Sequence, residues 1–261
     1  MQQVRPPAVA GMFYPQNAVE LRAKISAYLD AATASGPAPK AIIAPHAGYI
    51  YSGPIAANAY AMLAPERERI GKVVLLGPAH RVAFRGLAAP TSSRFETPLG
   101  EIAIDRASIE RVAHLPQVKV LDEPHTFEHS LEVQLPFLQT VLARFELTPF
   151  VVGDASAEDV AEVLEILWGG PETLIVVSSD LSHYHDYDTA VTLDRETSRA
   201  IAALRPADLD YDRACGRTPI AGLLQVAKKL GLHAEILDVR NSGDTAGPRD
   251  RVVGYGAYAF I

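Results

Sequence analysis

One cysteine, Cys215, occurs in the 261 residues, so no internal disulfide can form. A disulfide-stapled secreted domain is excluded, and a reducing cytoplasm is the expected compartment. No run of 18 apolar residues occurs, so no helical membrane span is expected. The opening stretch, rich in polar residues and proline, lacks the apolar core of a signal peptide. Positive charge is in deficit, with 24 Lys and Arg against 31 Asp and Glu, and the net charge of −7 argues against nucleic acid or an anionic membrane as partner. Internal repeats and low-complexity linkers are missing too, which leaves no place to divide the chain. With 48% hydrophobic and 21% charged residues it has an ordinary globular composition, and one domain over residues 1–261 is expected.

What is present is a set of short apolar runs that each stop at polar turn chemistry. Ala41–Ala44 is bounded by Pro45 and delivers His46. Four consecutive apolar residues read as a strand buried on both faces, and a proline cannot continue the ladder, so the strand ends there. Lys72–Leu76 is followed by Gly77, Pro78, Ala79 and His80. Thr173–Val177 runs into Ser178, Ser179, Asp180, Leu181, Ser182 and His183. If the three strands are parallel neighbours, their ends converge on one sheet edge, where open α/β sheets bind ligands.

Elsewhere the periodicity predicts helices over 17–32, with Asn17 as N-cap and Val19, Leu21, Ile25, Tyr28 and Leu29 on one face. A helix starting with Pro54 at its first position is also predicted, as are helices over 107–114, 157–168, 188–204 and 220–230. A further one starts near Thr126 and runs past Val141, leaving His125 in the loop before it. Strands are predicted at 86–90, 101–105, 118–121, 147–152, 234–239 and 252–261. The stretch 240–250 reads as a loop able to act as a mobile flap. Alternating strands and helices make the fold class α/β, with a mostly parallel central sheet flanked by helices.

Neutral imidazoles suit zinc, copper and iron, and His46 with His80 is the best pair because both follow buried strands. A third ligand could be a carboxylate or Cys215. That cysteine precedes a helix and sits near Arg213 and Arg217, both of which favour thiolate; by composition alone it reads as a buried, inert thiol. Asp180, three residues before His183, could orient that imidazole as a general base. His129, four residues after His125, reads as a contact to substrate rather than one of a ligand pair. A Ser-His-Asp hydrolase can be spelled from the Ser178–His183 turn, but no G-x-S-x-G elbow accompanies it.

The blocks A-P-H-A-G-Y at 44–49, G-P-A-H at 77–80, E-H-S-L-E-x-x-L-P at 128–136, V-S-S-D-x-S-H at 177–183 and C-G-R-x-P-I at 215–220 follow an A-G-x-F-Y segment at 10–14. In that order, and over essentially the whole chain, they resemble the signature blocks of the Memo family. Its prokaryotic members are often named AmmeMemoRadiSam system protein B. The family fold is similar to that of class III extradiol dioxygenases, in which non-haem iron(II) opens catechol-type rings. The resemblance implies one metal ion at His46, His80 and Cys215, with His183 and Asp180 lining a catalytic pocket and His129 close by. Iron(II) is the expected ion, with copper or zinc as alternatives, because a cysteine stands where the extradiol enzymes carry a carboxylate. A metal-dependent oxidoreductase acting on a small substrate is therefore expected. Two alternatives are a module that binds a peptide or partner protein in the same pocket, and a zinc hydrolase using His183 as base. Other proteins of the AmmeMemoRadiSam system are implied as partners.

Overall fold

The computed structural model describes residues 3–33, 35–210 and 212–261. Twelve strands occur among the described residues: β1 (Val4–Arg5), β2 (Ala41–Ala44), β3 (Lys72–Pro78), β4 (Leu87–Ala89), β5 (Arg94–Thr97), β6 (Gly100–Ala103), β7 (Val118–Val120), β8 (Glu146–Val152), β9 (Thr173–Ser178), β10 (His183–His185), β11 (Ala234–Asn241) and β12 (Val252–Phe260). Between them lie helices α1 (Ala18–Asp30), α2 (Tyr49–Ala61), α3 (Arg106–Val112), α4 (Glu123–Thr126), α5 (Leu135–Val141), α6 (Ala157–Leu167), α7 (Tyr187–Ala202), α8 (Arg217–Leu230) and α9 (Ser242–Thr245). None of the described helices is long and apolar enough to cross a membrane.

Nine strands share the main sheet in the order β10-β12-β2-β9-β3-β8-β4-β7, with β11 on β12. The pairs β2/β9, β9/β3 and β3/β8 are parallel. The edges differ: β12 runs antiparallel to β2, β10 and β11, and β4 runs antiparallel to β8. The sheet is thus mixed, with the expected parallel run as its centre. There Ile42, Ile43, Leu75, Leu76, Val176 and Val177 are fully buried, which matches their uninterrupted apolar sequence. β5 and β6 join the N-terminal β1 in a separate three-stranded sheet, β1-β5-β6, in which β1 and β5 were not anticipated.

Several local expectations are corrected. The helix α2 starts at Tyr49, not at Pro54, which lies inside it. Tyr49 N–H donates to the Phe13 carbonyl at 2.8 Å, so a distant segment supplies the cap. Ile50, whose carbonyl loses its partner to the missing proline N–H, is half exposed and can meet water. In α1, Asn17 does cap, accepting from Val19 and Glu20, but Val19 faces solvent while Leu21 and Ile25 are buried.

The helix expected from Thr126 to beyond Val141 is instead broken into α4, a 3₁₀ turn at Glu132–Gln134 and α5. His125 falls within α4, buried, with Nε2 2.9 Å from the Ala88 carbonyl. Between the pieces, Glu128 accepts the backbone N–H groups of His129 and Ser130, and the Ser130 hydroxyl donates to the Pro78 carbonyl. Side-chain acceptors here replace the helical ones. Of the stretch read as a loop over 240–250, the first part is β11's last two residues and α9, which carries a capping box between Asn241 and Asp244, and only 246–250 is irregular.

Buried Glu132 organises the N-terminal segment. It accepts from Arg5 Nη1 at 2.8 Å, from the Ala8 and Val9 N–H groups, and from the Tyr14 hydroxyl at 2.7 Å. The segment thereby reaches the strand ends and sets Phe13 against His129, with ring centroids 4.8 Å apart.

Candidate metal centre

Because β2, β9 and β3 are adjacent and parallel, the residues just past their carboxyl ends meet. His46 comes from β2, Asp180 from β9 and His80 from β3, while Cys215 arrives just ahead of α8. Candidate ligand atoms of His46, His80 and Cys215 all lie within 4.8 Å of one another, and Cys215 Sγ is 3.3 Å from His46 Nε2. One ion with bonds of about 2.0–2.3 Å would draw such a set slightly inward.

Hydrogen bonding fixes which nitrogen of each imidazole is free. Ser178 Oγ donates its only proton to the Ser130 carbonyl at 2.6 Å and accepts from Gln134 Nε2 at 2.8 Å. Its contact with His46 Nδ1, also 2.8 Å, therefore has the imidazole as donor. That leaves the lone pair of His46 on Nε2, facing the sulfur. His80 is held in the same way: its Nδ1 donates to Glu128 Oε1 at 2.8 Å and its backbone N–H to Oε2 at 2.7 Å. Carboxylate or hydroxyl support behind a histidine is the usual arrangement around metal-binding imidazoles.

The electrostatics agree with a neutral His46 and a neutral His129. Burial, with the neighbouring imidazoles, holds His46 well below the ordinary imidazole range. Burial likewise brings His129 down to about 4. For Glu128 burial pushes upward, yet hydrogen bonds from His80 and Ser130 win and leave its carboxyl at about 2. Burial raises Asp180 to about 6 against the opposing pull of His183. The anticipated activation of Cys215 is not found in the metal-free protein: burial, together with the Asp180 charge, pushes its thiol up to about 12. Arg213 is engaged elsewhere, with Glu196 and Asp210.

A cavity of roughly 500 Å³ opens in front of His46, His80, His129, Asp180 and His183. All three residues assigned to catalysis therefore line it. His183 Nδ1 lies 2.8 Å from the Leu181 carbonyl, which can only accept, so Nε2 carries the lone pair. Asp180 Oδ1 accepts the His46 backbone N–H at 2.7 Å, which positions the histidine rather than orienting His183. His129 stacks on His80, with centroids 4.6 Å apart. Its Nδ1 lies 3.4 Å from Glu128 but completes no hydrogen bond among the described residues. Cys215 is not among the residues lining this cavity and borders instead a second cleft, of roughly 450 Å³, between the ends of β3 and β8 and the start of α8.

Several residues of this site were not foreseen. Glu128, Ser178 and Gln134 support the histidines, and only their presence inside the quoted blocks hinted at it. Tyr51, Tyr184, Arg251 and Tyr255 form the outer wall with Phe13, as do Gly247 and Pro248 from the stretch first read as a flap. Tyr184 has φ = 63°, a left-handed conformation costing a residue with a side chain about 1–2 kcal/mol. Pairing of His183 with Val253 and His185 with Val252 holds it there, across an irregularity in the ladder.

The family model described as "Memo-like protein" matches residues 5–259. The chain is 35% identical over 282 residues to a "MEMO1 family protein" of Metallosphaera sedula, covering 98% of this chain and 99% of that one. It is 36% identical over 271 residues to another of that description from Aquifex aeolicus, covering 99% and 100%. A solved structure of an uncharacterized protein, JW3007 from Escherichia coli K12, is similar at 15% identity and a TM-score of 0.49, over 82% of this chain and 98% of that one.

Proposed function

The chain belongs to the family of Memo-like proteins, and from that premise we propose that it is a metal-dependent oxidoreductase acting on a small molecule. His46, His80 and Cys215 hold one ion, iron(II), in a cytoplasmic protein. The observation that carries this reading is the pair of imidazoles whose Nδ1–H groups are committed to Ser178 and Glu128, leaving the Nε2 lone pairs free beside a cysteine sulfur. Two neutral nitrogens and one thiolate suit a divalent ion of intermediate softness. Metal binding would take the proton from Cys215, offsetting the burial that keeps the thiol neutral in the metal-free state.

When bound, iron(II) supplies a Lewis acid and a one-electron redox centre. Every other role falls to the chain. His183, its Nδ1–H fixed on Leu181, offers Nε2 to the cavity as base for a substrate hydroxyl. Asp180 holds the His46 backbone in place, and His129 presents its ring edge to whatever fills the cavity.

The test is metal analysis of protein purified without air, combined with oxygen uptake in the presence of candidate substrates. Iron near one equivalent in the parent, its loss in Cys215→Ser and substrate-dependent oxygen uptake are expected. A protein that takes up zinc or copper but not iron, and consumes no oxygen, would overturn the oxidoreductase reading. The cavity would then stand as a binding site for a peptide or small molecule.

A further inference from the structure

The outer wall of the cavity carries one full positive charge, Arg251, and it is not used by the fold. Its guanidinium carbon lies 4.5 Å from the centroid of the Tyr184 ring. Stacking occupies the face of the guanidinium and leaves its edge of N–H donors free. Among the described residues no carboxylate forms an ion pair with it, whereas the nearby Arg249 sits over Tyr187 and reaches Asp244. Arg251 is exposed, so its aliphatic packing is not needed to close the core.

Two further observations make this a built feature rather than a stray surface charge. Tyr184 is held in its left-handed conformation by pairing on either side, so the platform beneath Arg251 is maintained against local backbone preference. Phe13, Tyr51 and Tyr255 add three further aromatic rings to the lining, which favours a planar occupant. The same lining holds the imidazoles, Asp180 and this one guanidinium.

We infer that Arg251, stacked on Tyr184, is a specificity-determining residue that binds the anionic end of a planar organic substrate, a carboxylate or a phosphate ester. This rests on the same cavity as the proposed oxidoreductase activity and names its substrate class. The planar body lies between the aromatic walls, and the end bearing a hydroxyl points inward towards His183. Such a substrate places its charge at Arg251, where the guanidinium fork can take two oxygens at once. Neutral ring compounds of the same shape lose that contact and bind more weakly.

The test uses metal-free protein, so its outcome does not depend on which ion, if any, the histidines hold. Ligand-observed NMR titrations compare 4-hydroxybenzoate, 4-hydroxyphenyl phosphate and the neutral 4-hydroxybenzamide. The parent is expected to bind at least one of the two anions about fivefold to tenfold more tightly than the amide, as one partly exposed charge-assisted contact allows. Which anion is preferred distinguishes a carboxylate from a phosphate ester. Arg251→Gln should abolish the preference without changing the amide's affinity, and Arg251→Lys should retain part of it. Equal affinity of the parent for anions and amide, no binding of any of the three, or a preference that survives in Arg251→Gln would overturn the proposal. Metal content of the same preparations, measured separately, shows whether the metal-site reading stands.

Discussion

Replacing Glu128 by glutamine isolates the electrostatic support behind His80 while preserving its volume. The carboxylate is 1% exposed and accepts four hydrogen bonds, from the His80 ring and from the backbone of His80, His129 and Ser130. Burial alone would raise its pKa, yet these donors lower it from the ordinary 4.5 to about 2. At about 1.4 kcal/mol per pH unit that gap corresponds to about 3 kcal/mol of stability held by the ionised form in metal-free protein. The sign follows from the direction. A carboxyl lowered by folding stabilises above its unfolded value of 4.5, and the contribution is lost as pH falls towards 2.

Glu128→Gln should therefore unfold in urea with a deficit of about 3 kcal/mol at pH 7, falling to about 1 kcal/mol at pH 3. The amide can no longer accept from His80 on both atoms, so the imidazole is freed to turn. Metal affinity should drop by about 10–100-fold. A pH-independent deficit would refute the electrostatic argument. Unchanged metal affinity would refute the claim that Glu128 fixes the His80 tautomer.

Three more predictions concern separate parts of the molecule. Glu132→Ala leaves the buried Arg5 charge without its counter-ion and three donors without an acceptor, and should cost about 3–5 kcal/mol in urea unfolding, with the N-terminal segment becoming protease-sensitive. A loss under 1 kcal/mol would contradict it. Gly254→Ala would drive its new methyl into the Asp194 carboxylate, itself bonded to Ser182 N–H, and should destabilise by about 2 kcal/mol. A variant as stable as the parent would show that β12 shifts freely. His183→Ala should keep both fold and metal but lose about 10²–10⁴-fold of any substrate turnover. Release of the metal would make His183 a ligand instead.

Much of this architecture was legible in the residues because it rests on local signals. Apolar runs ended by proline or by a Ser-Ser-Asp turn located β2, β3 and β9, and their histidines and aspartate marked the sheet edge. Asn17 announced the start of α1. What escaped depends on contacts distant in sequence. The early start of α2 requires the Phe13 carbonyl, and the break between α4 and α5 requires Glu128 and Ser130 to bond at the ends of strands. The support of His46 by Ser178 and Gln134 joins three segments that no spacing relates. Arg251 follows a loop and carries no pattern, so its place on Tyr184 appears only once β10 and β12 are paired. The thiolate expected at Cys215 failed for a related reason, and the buried, inert alternative fits better: Arg213 is spent on Glu196 and Asp210, and burial beside Asp180 dominates.

The central claim is that His46, His80 and Cys215 bind one ion together, and X-ray absorption at the metal edge tests it most directly. With zinc(II) as the probe ion, the account predicts one sulfur scatterer at about 2.3 Å and nitrogen scatterers at about 2.0–2.1 Å, with the sulfur lost in Cys215→Ser. A parent spectrum without sulfur, or one unchanged by that substitution, would contradict it.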